Sequence, residues 1–429
     1  MKTTYKFNSS NPSKDYPSVK EIKVGLNFDK KIIPVGRLAT SEQKIYFEYD
    51  QSFIENKIEI SPLKLPLQKG VTTSSTNLFD GLPGVFNDSL PDGWGRLLFD
   101  RLMASNGVFS KNLTPLDRLS YVGDNGIGAL VYKPDYSLSE TKGDAKNFIN
   151  LDTLAIKSKT ILKDNSKNVL QELLSLNGSS AGARPKALIG LDKDKKNIYY
   201  GACKLTSDYE YWLVKFTNSQ DTIDAGAIEY VYALMAKKAG VNISEVHLFK
   251  SQHGAGYFST KRFDRNHQKR FHMHTACGLL HSDFRTPCLD YKNLTALTWA
   301  ITKDIREVEK MFRLAVFNVL AHNRDDHSKN FSFLMDKNGA WKLSPAYDIT
   351  FSFGPEGEQS TMLMGEGKNP RTDHLIKLGL DANLDKNLIN QAIDQTKNAL
   401  SYWKKLAIQH SVSQSSIDLI KSKLQTSQK

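Results

Sequence analysis

Cysteine is scarce: three occur in 429 residues, Cys203, Cys277 and Cys288. They are widely separated, odd in number and form no Cys-x-x-Cys pair, which excludes a disulfide framework and a zinc finger. A reducing cytoplasm is the expected home. No apolar run approaches the roughly 18 residues that cross a bilayer. The first ten residues lack the apolar core of a secretory signal, so no membrane partner is expected. Acidic residues are outnumbered, 46 Asp and Glu against 58 Lys and Arg, for a net charge of +12 and a pI near 9.2. The 40% hydrophobic and 24% charged residues are those of a folded chain. At roughly 150 residues per domain the length suits two or three domains. The basic surplus favours nucleic acid, anionic proteins or phosphate ligands as partners and is silent on fold.

Local patterns divide the chain into three regions, 1–140, 141–270 and 271–429. In the first, residues 35–40 and 45–50 read as strands around a turn at Ser41-Glu42-Gln43, residues 94–103 as a helix after Pro91-Asp92-Gly93, and residues 126–133 as a strand. A polar passage over 135–168 carries a boundary and a helix around 151–162. After the Gly/Ser loop at 177–186 come strands at 187–191, 197–205 and 211–216, then a helix over 225–239 stopped by Gly240. Strands at 245–250 and 256–263 complete an antiparallel set. The remainder is helical at 294–302, 308–320, 384–408 and 417–424. One strand pair, 331–335 and 340–343, interrupts it. Asn338-Gly339 between them predicts a type I′ hairpin turn. The expected class is α+β, a strand-rich lobe followed by a mainly helical one.

The chemistry concentrates in His322-Asn323-Arg324-Asp325-Asp326-His327-Ser328-Lys329-Asn330. Asp325 and Asn330 have the spacing of the kinase catalytic loop H-R-D-x-x-x-x-N. There the aspartate accepts the substrate hydroxyl's hydrogen bond and the asparagine oxygen ligates magnesium. The following hairpin returns the chain, so Asp348 is expected near Asn330, where a carboxylate bridges magnesium and phosphates. A lone Asp-x-x-x-x-Asn is usually a solvated turn; the returning aspartate is what lifts this one above that. Upstream, Lys215 interrupts an apolar strand and suits the α- and β-phosphates of ATP, with Glu229 on the next helix as its orienting partner. Taken alone, that pair reads more readily as a solvent-facing one. The loop from Gly178 to Lys186 offers backbone N–H groups to phosphate, although it matches neither G-x-G-x-x-G nor the Walker pattern. His322 and His327 lack a third ligand at metal spacing.

These residues together resemble the HipA family, serine/threonine kinase toxins of bacterial toxin–antitoxin systems. Residues 179–186 (Ser-Ser-Ala-Gly-Ala-Arg-Pro-Lys), 325–332 (Asp-Asp-His-Ser-Lys-Asn-Phe-Ser) and 345–348 (Pro-Ala-Tyr-Asp) carry the resemblance. Val35-Gly36-Arg37-Leu38, Phe47-Glu48-Tyr49-Asp50, Ile60-Ser61-Pro62, residues 88–94 (Asp-Ser-Leu-Pro-Asp-Gly-Trp) and residues 261–265 extend it over most of the chain. It implies a two-lobed, protein-kinase-like fold with a mixed N-terminal subdomain (1–140), a kinase N-lobe-like region (141–270) and a helical C-lobe (271–429). It further implies Asp325 as catalytic aspartate, Asn330 and Asp348 as magnesium ligands, and Lys215 as the ATP lysine. Ala181, Gly182, Ala183, Arg184, Pro185 and Lys186 match the phosphate loop, and Lys261, Arg262 and Phe263 the segment that meets adenine. His327, Ser328, Lys329 and Tyr347 fall among the nucleotide contacts, and Ser179 or Ser180 matches the autophosphorylated serine. The implied cofactors are ATP and Mg2+. The implied partners are a helix-turn-helix antitoxin, operator DNA through it, and a protein substrate of translation such as an aminoacyl-tRNA synthetase. Asp326 departs from the glycine of some relatives and leaves open which carboxylate is the base, though the spacing favours Asp325. Arg184-Pro185 replaces a polar pair.

Residues 250–275 hold six Lys or Arg against one Asp, among Tyr257, Phe258, Phe263 and Phe271. The alternation predicts a half-buried hairpin with a cationic face. The competing reading of the whole chain is a non-catalytic, DNA-associated co-regulator that keeps the kinase fold. A kinase acting on a small molecule or lipid headgroup is the third, since acceptor choice depends on pocket shape.

Overall fold

The computed structural model describes residues 18–29, 31–74, 78–137, 149–161, 167–177, 182–200, 205–286 and 288–427. They fall into two compact units: Met1–Gln220 with Asp264–His274 and Met335–Gly339, and Asp221–Phe263 with Thr275–Leu334 and Ala340–Lys429. Among the described residues no helix is long and apolar enough to cross a membrane.

The first unit holds an antiparallel five-stranded sheet in the order Val71–Thr73, Lys44–Tyr49, Ile32–Ser41, Glu21–Asn27, Leu130–Lys133. The expected strands at 35–40 and 45–50 are its centre. They are joined by a tight turn whose Glu42 and Gln43 both take positive φ, 49° and 62°, as a type I′ connection requires. Ile22 and Leu38 are wholly buried opposite each other while Glu21, Lys23 and Arg37 beside them are exposed, the alternation of a sheet with one covered face. Helix Gly93–Ser105 buries Trp94, Leu98, Phe99, Leu102 and Met103. Helix Pro115–Val122 starts with a capping box between Thr114 and Asp117 and proline in its first turn, a combination that satisfies the orphan N–H groups. Further on, Lys186–Asp192 pairs antiparallel with Ile198–Tyr200 and with Tyr209–Lys215, with Lys186 directly opposite Lys215. The expected strand at 197–205 is seen as Ile198–Tyr200; residues 201–204 lie outside the described ones.

Helices dominate the second unit: Ala225–Lys238, Tyr291–Thr302, Ile305–Leu320, Thr372–Asp381, Lys386–Ser401, Trp403–Gln409 and Gln414–Ser427. Their core gathers Tyr232, Met235, Tyr291, Phe312, Phe317, Leu378 and Trp403. Gly240 terminates the first of them at φ 80°. Two expectations are corrected. The single helix over 384–408 is two, because Trp403 turns inward, donates its indole N–H to the Ile417 carbonyl at 3.1 Å and meets the Tyr232 ring edge-on at 5.7 Å. The turn before Trp341 is not type I′. Only Gly339 has positive φ, 81°; Asp336 accepts from Gly339 N–H at 3.1 Å and through its carboxylate from Asn338 N–H at 2.8 Å. That is a type I turn closed by a left-handed glycine, the pattern of a longer hairpin loop.

Candidate active site

The loop 322–330 leaves the buried C-terminus of helix Ile305–Leu320 and is held by a polar network beneath it. Asn323 donates to the Asn318 side-chain oxygen at 3.0 Å, and Asn318 donates to the Tyr291 hydroxyl at 3.0 Å. Tyr291 donates to Asp326 Oδ2 at 2.5 Å. Two further donors reach the Asp326 carboxylate from the segment after Asp348: Gln359 Nε2 at 2.9 Å and Thr361 N–H at 3.1 Å. Buried polar groups linked in a chain of this kind stiffen what they support. The adjacent carboxylates therefore occupy opposite environments. Asp326 is 1% exposed, whereas Asp325 faces solvent.

Burial pushes the Asp326 carboxyl up to about 7, against the pull of its donors, Tyr291 foremost. An acid whose folded pKa exceeds its unfolded value keeps its proton in the fold after the unfolded chain has released it. Stability should therefore fall as pH rises from about 4 to about 7, by up to ~1.4 kcal/mol per pH unit, and level off above. Urea unfolding across this range should show the decline in the native protein and a flatter profile in Asp326→Asn; equal slopes would refute the assignment.

Asn330 donates its amide N–H to the Asp325 carbonyl at 2.7 Å. With its nitrogen so engaged, the amide oxygen is the side chain's remaining ligating atom. The returning strand Trp341–Leu343 leads to Tyr347, whose hydroxyl donates to the Lys329 carbonyl at 2.5 Å and lies 2.5 Å from Ser332 Oγ. Ala346 N–H donates to the Asn242 carbonyl at 2.7 Å, just beyond helix Ala225–Lys238. Asp348 thus follows directly on a residue tethered to the carbonyl preceding Asn330. Its φ of 54° is a left-handed conformation that Asp tolerates better than most residues. Two hard oxygen donors from this pair suit a magnesium ion that completes its shell with water and phosphate.

The remaining expected residues are distributed as follows. Phe263 stacks at a tilt on Tyr347, centroids 5.5 Å apart. Lys261 ends strand Tyr257–Lys261, and Arg262 beside it is buried. Ser328 is buried and donates to the Ser282 carbonyl at 3.3 Å. The Lys329 ammonium sits 4.5 Å from the centre of the Phe284 ring, and the His327 ring is 5.4 Å from the same phenylalanine. His322 stacks on Phe351; burial, then Arg324, lowers it to about 4, which leaves the ring uncharged at neutral pH. Glu229 is buried on helix Ala225–Lys238 of the second unit. The first unit carries Lys186, 5% exposed, and the half-buried Lys215. It also carries Gly182 to Pro185, where the Pro185 carbonyl accepts from Phe216 N–H at 2.8 Å. Ser179, Ser180 and Ala181 lie outside the described residues.

The cationic hairpin expected over 250–275 is narrower than the sequence suggests. Arg265 is buried, paired with Asp264 at 2.6 Å and donating to the Gly128 and Gly126 carbonyls, both at 2.8 Å. Arg270 donates to the Asp124 carbonyl at 2.7 Å. His274 bridges Asp88 at 2.6 Å and Ser61 at 3.0 Å, and His272 contacts the Ile60 carbonyl at 2.9 Å. These charges and rings bind distant stretches of their own unit together; a continuous basic face is not what they form.

Sequence reasoning passed over Tyr291, Asn318, Gln359 and Thr361, because nothing in local spacing ties residues so far apart to Asp326. Arg324 was also passed over; it holds the Gly357 carbonyl and the Lys368 carbonyl, the latter at 3.1 Å.

Comparison with known proteins bears on these observations. Family models described as a HipA-like C-terminal domain and a HipA N-terminal domain match residues 178–403 and 30–133. A Haemophilus influenzae protein bearing the provisional name of a kinase is 25% identical over 198 residues, 38% of this chain and 58% of that protein. The chain thus spans well under two thirds of that relative's length. HipA from the Shewanella oneidensis MR-1 toxin–antitoxin complex with HipB and operator DNA superposes with a TM-score of 0.67 over 95% of each chain, at 17% identity. That likeness is one of fold.

Proposed function

Because the chain belongs to the HipA family, we propose that it is an ATP- and magnesium-dependent protein serine/threonine kinase, the toxin of a toxin–antitoxin module. The observation that carries this reading is the division of labour between neighbouring carboxylates. Asp326 is buried and accepts from Tyr291, Gln359 and Thr361, and Asp325 is exposed with its carbonyl bound to Asn330. Asp325 accepts the proton of the acceptor hydroxyl and aligns its oxygen. Asn330 and Asp348 would hold magnesium, which when bound neutralises phosphate charge. Lys215 and Lys186, with the backbone of residues 181–185, take the phosphates. Lys261 to Phe263, His327 to Lys329 and Tyr347 surround the nucleotide. Ser179 or Ser180 is the site of autophosphorylation. The substrate is a protein of the translation apparatus such as an aminoacyl-tRNA synthetase. A helix-turn-helix antitoxin binds the toxin and brings it to operator DNA, all in the cytoplasm.

Incubation with γ-labelled ATP and magnesium, followed by phosphosite mapping, tests the reading. Label should appear on Ser179 or Ser180 and vanish with EDTA. Absence of any label, on the chain itself or on added host extract, would overturn it.

A further inference from the structure

Helix Gly93–Ser105 has an aspartate in its N-cap position, the residue type that ordinarily accepts from the first-turn N–H groups. Asp92 caps none of them. Its Oδ1 accepts instead from the N–H of Gly182, 90 residues downstream. The helix's own Trp94 N–H donates to the Gly182 carbonyl at 3.0 Å. Both backbone polar groups of one loop glycine are therefore held by one short stretch of chain.

The glycines are fitted to this contact. Gly93 has φ 42°, and a Cβ on it would stand 2.6 Å from the Gly182 carbonyl oxygen and 2.8 Å from Ala183 Cα. Gly182 has φ 103°, and a Cβ there would come within 2.5 Å of the Lys186 ammonium. Neither position admits a side chain without displacing the loop or the lysine. A capping carboxylate has been diverted from its helix, two positions have been kept bare, and the ammonium of Lys186 lies against the glycine so held.

We propose that Asp92 is a positioning residue for the phosphate-binding loop. Through Gly182 it fixes residues 182–186, and with them Lys186, in the conformation that receives the nucleotide's phosphates. The residue sits in the N-terminal region, outside the stretch matched to the HipA-like C-terminal domain. Nucleotide affinity in this chain then depends on a residue of the N-terminal region. The phosphate assignment rests on the kinase reading above; the clamp itself does not.

The test compares full-length Asp92→Ala, Asp92→Asn and Gly93→Ala by hydrogen exchange without nucleotide and by ATP kinetics. In Asp92→Ala, exchange in the peptide containing Gly182 should quicken about tenfold and the KM for ATP should rise about tenfold, the loss of one charge-assisted bond. The kcat at saturating ATP should change far less. Asp92→Asn keeps an acceptor oxygen and should restore most of both values. Gly93→Ala should loosen the same peptide with the carboxylate intact. Wild-type exchange and KM in Asp92→Ala would overturn the proposal, as would an Asp92→Asn no better than Asp92→Ala. Because exchange is read without nucleotide, a chain inactive as a kinase but unprotected at Gly182 only in Asp92→Ala and Gly93→Ala would refute the kinase reading and uphold the clamp.

Discussion

Replacing Asp325 by alanine is expected to lower phosphotransfer by on the order of a thousandfold while leaving the fold in place. The side chain is exposed, so its removal opens no cavity and unfolding free energy should move by less than about 0.5 kcal/mol. The hydrogen bond from Asn330 goes to the Asp325 backbone carbonyl, which alanine retains, so the Asn330 side chain keeps its anchor. Asp326→Ala should behave oppositely. It strips the acceptor from Tyr291, Gln359 and Thr361 together and should destabilise the protein by about 3 kcal/mol or more, since buried donors left unsatisfied are costly. Activity measured beside a urea melt separates the two positions. An Asp325→Ala protein that phosphorylates at the native rate would remove this residue from the chemistry.

What the sequence disclosed and what it hid divide along the distance over which each interaction acts. The turn at Glu42-Gln43, the stop at Gly240 and the interval between Asp325 and Asn330 are set by residues within a few positions of one another, and all were legible. The hairpin's existence was equally legible. Its turn type was not, because the Asp336 carboxylate captures the Asn338 N–H and keeps Asn338 out of the left-handed region. Helix Thr372–Asp381 went unread because Arg371, a poor N-cap residue, precedes it. The break at Tyr402 has neither proline nor glycine to mark it and is decided by where Trp403 is buried. The role of Asp326 was hidden for the same reason. It is defined by partners 33 to 35 residues away in either direction, and its neighbour Asp325 is chemically identical. The cations of 250–275 show the limit of counting charge. Arg265 belongs to Asp264 and the carbonyls at 126 and 128, so part of the surplus that suggested nucleic acid is structural.

Asp348→Asn should reduce kcat by on the order of a hundredfold to a thousandfold and raise the magnesium concentration needed for half-maximal rate. Asparagine is the informative substitution here. Asp348 sits at φ 54°, a region that Asn visits as readily as Asp, whereas alanine would add roughly 1–2 kcal/mol of backbone strain and confound the result. The geometry before it is insulated from the change. Tyr347 remains bonded to the Lys329 carbonyl and close to Ser332, and Ala346 to Asn242, so the side chain at 348 is presented as before. What is lost is one negative charge on the residue that follows the tethered Tyr347, and a hard divalent cation binds a neutral amide less strongly than a carboxylate. A magnesium titration of the two proteins reads this directly. The same rate and the same half-saturating magnesium in Asp348→Asn would exclude Asp348 as a ligand, and would leave the tethering of its segment to the catalytic loop as that segment's whole contribution.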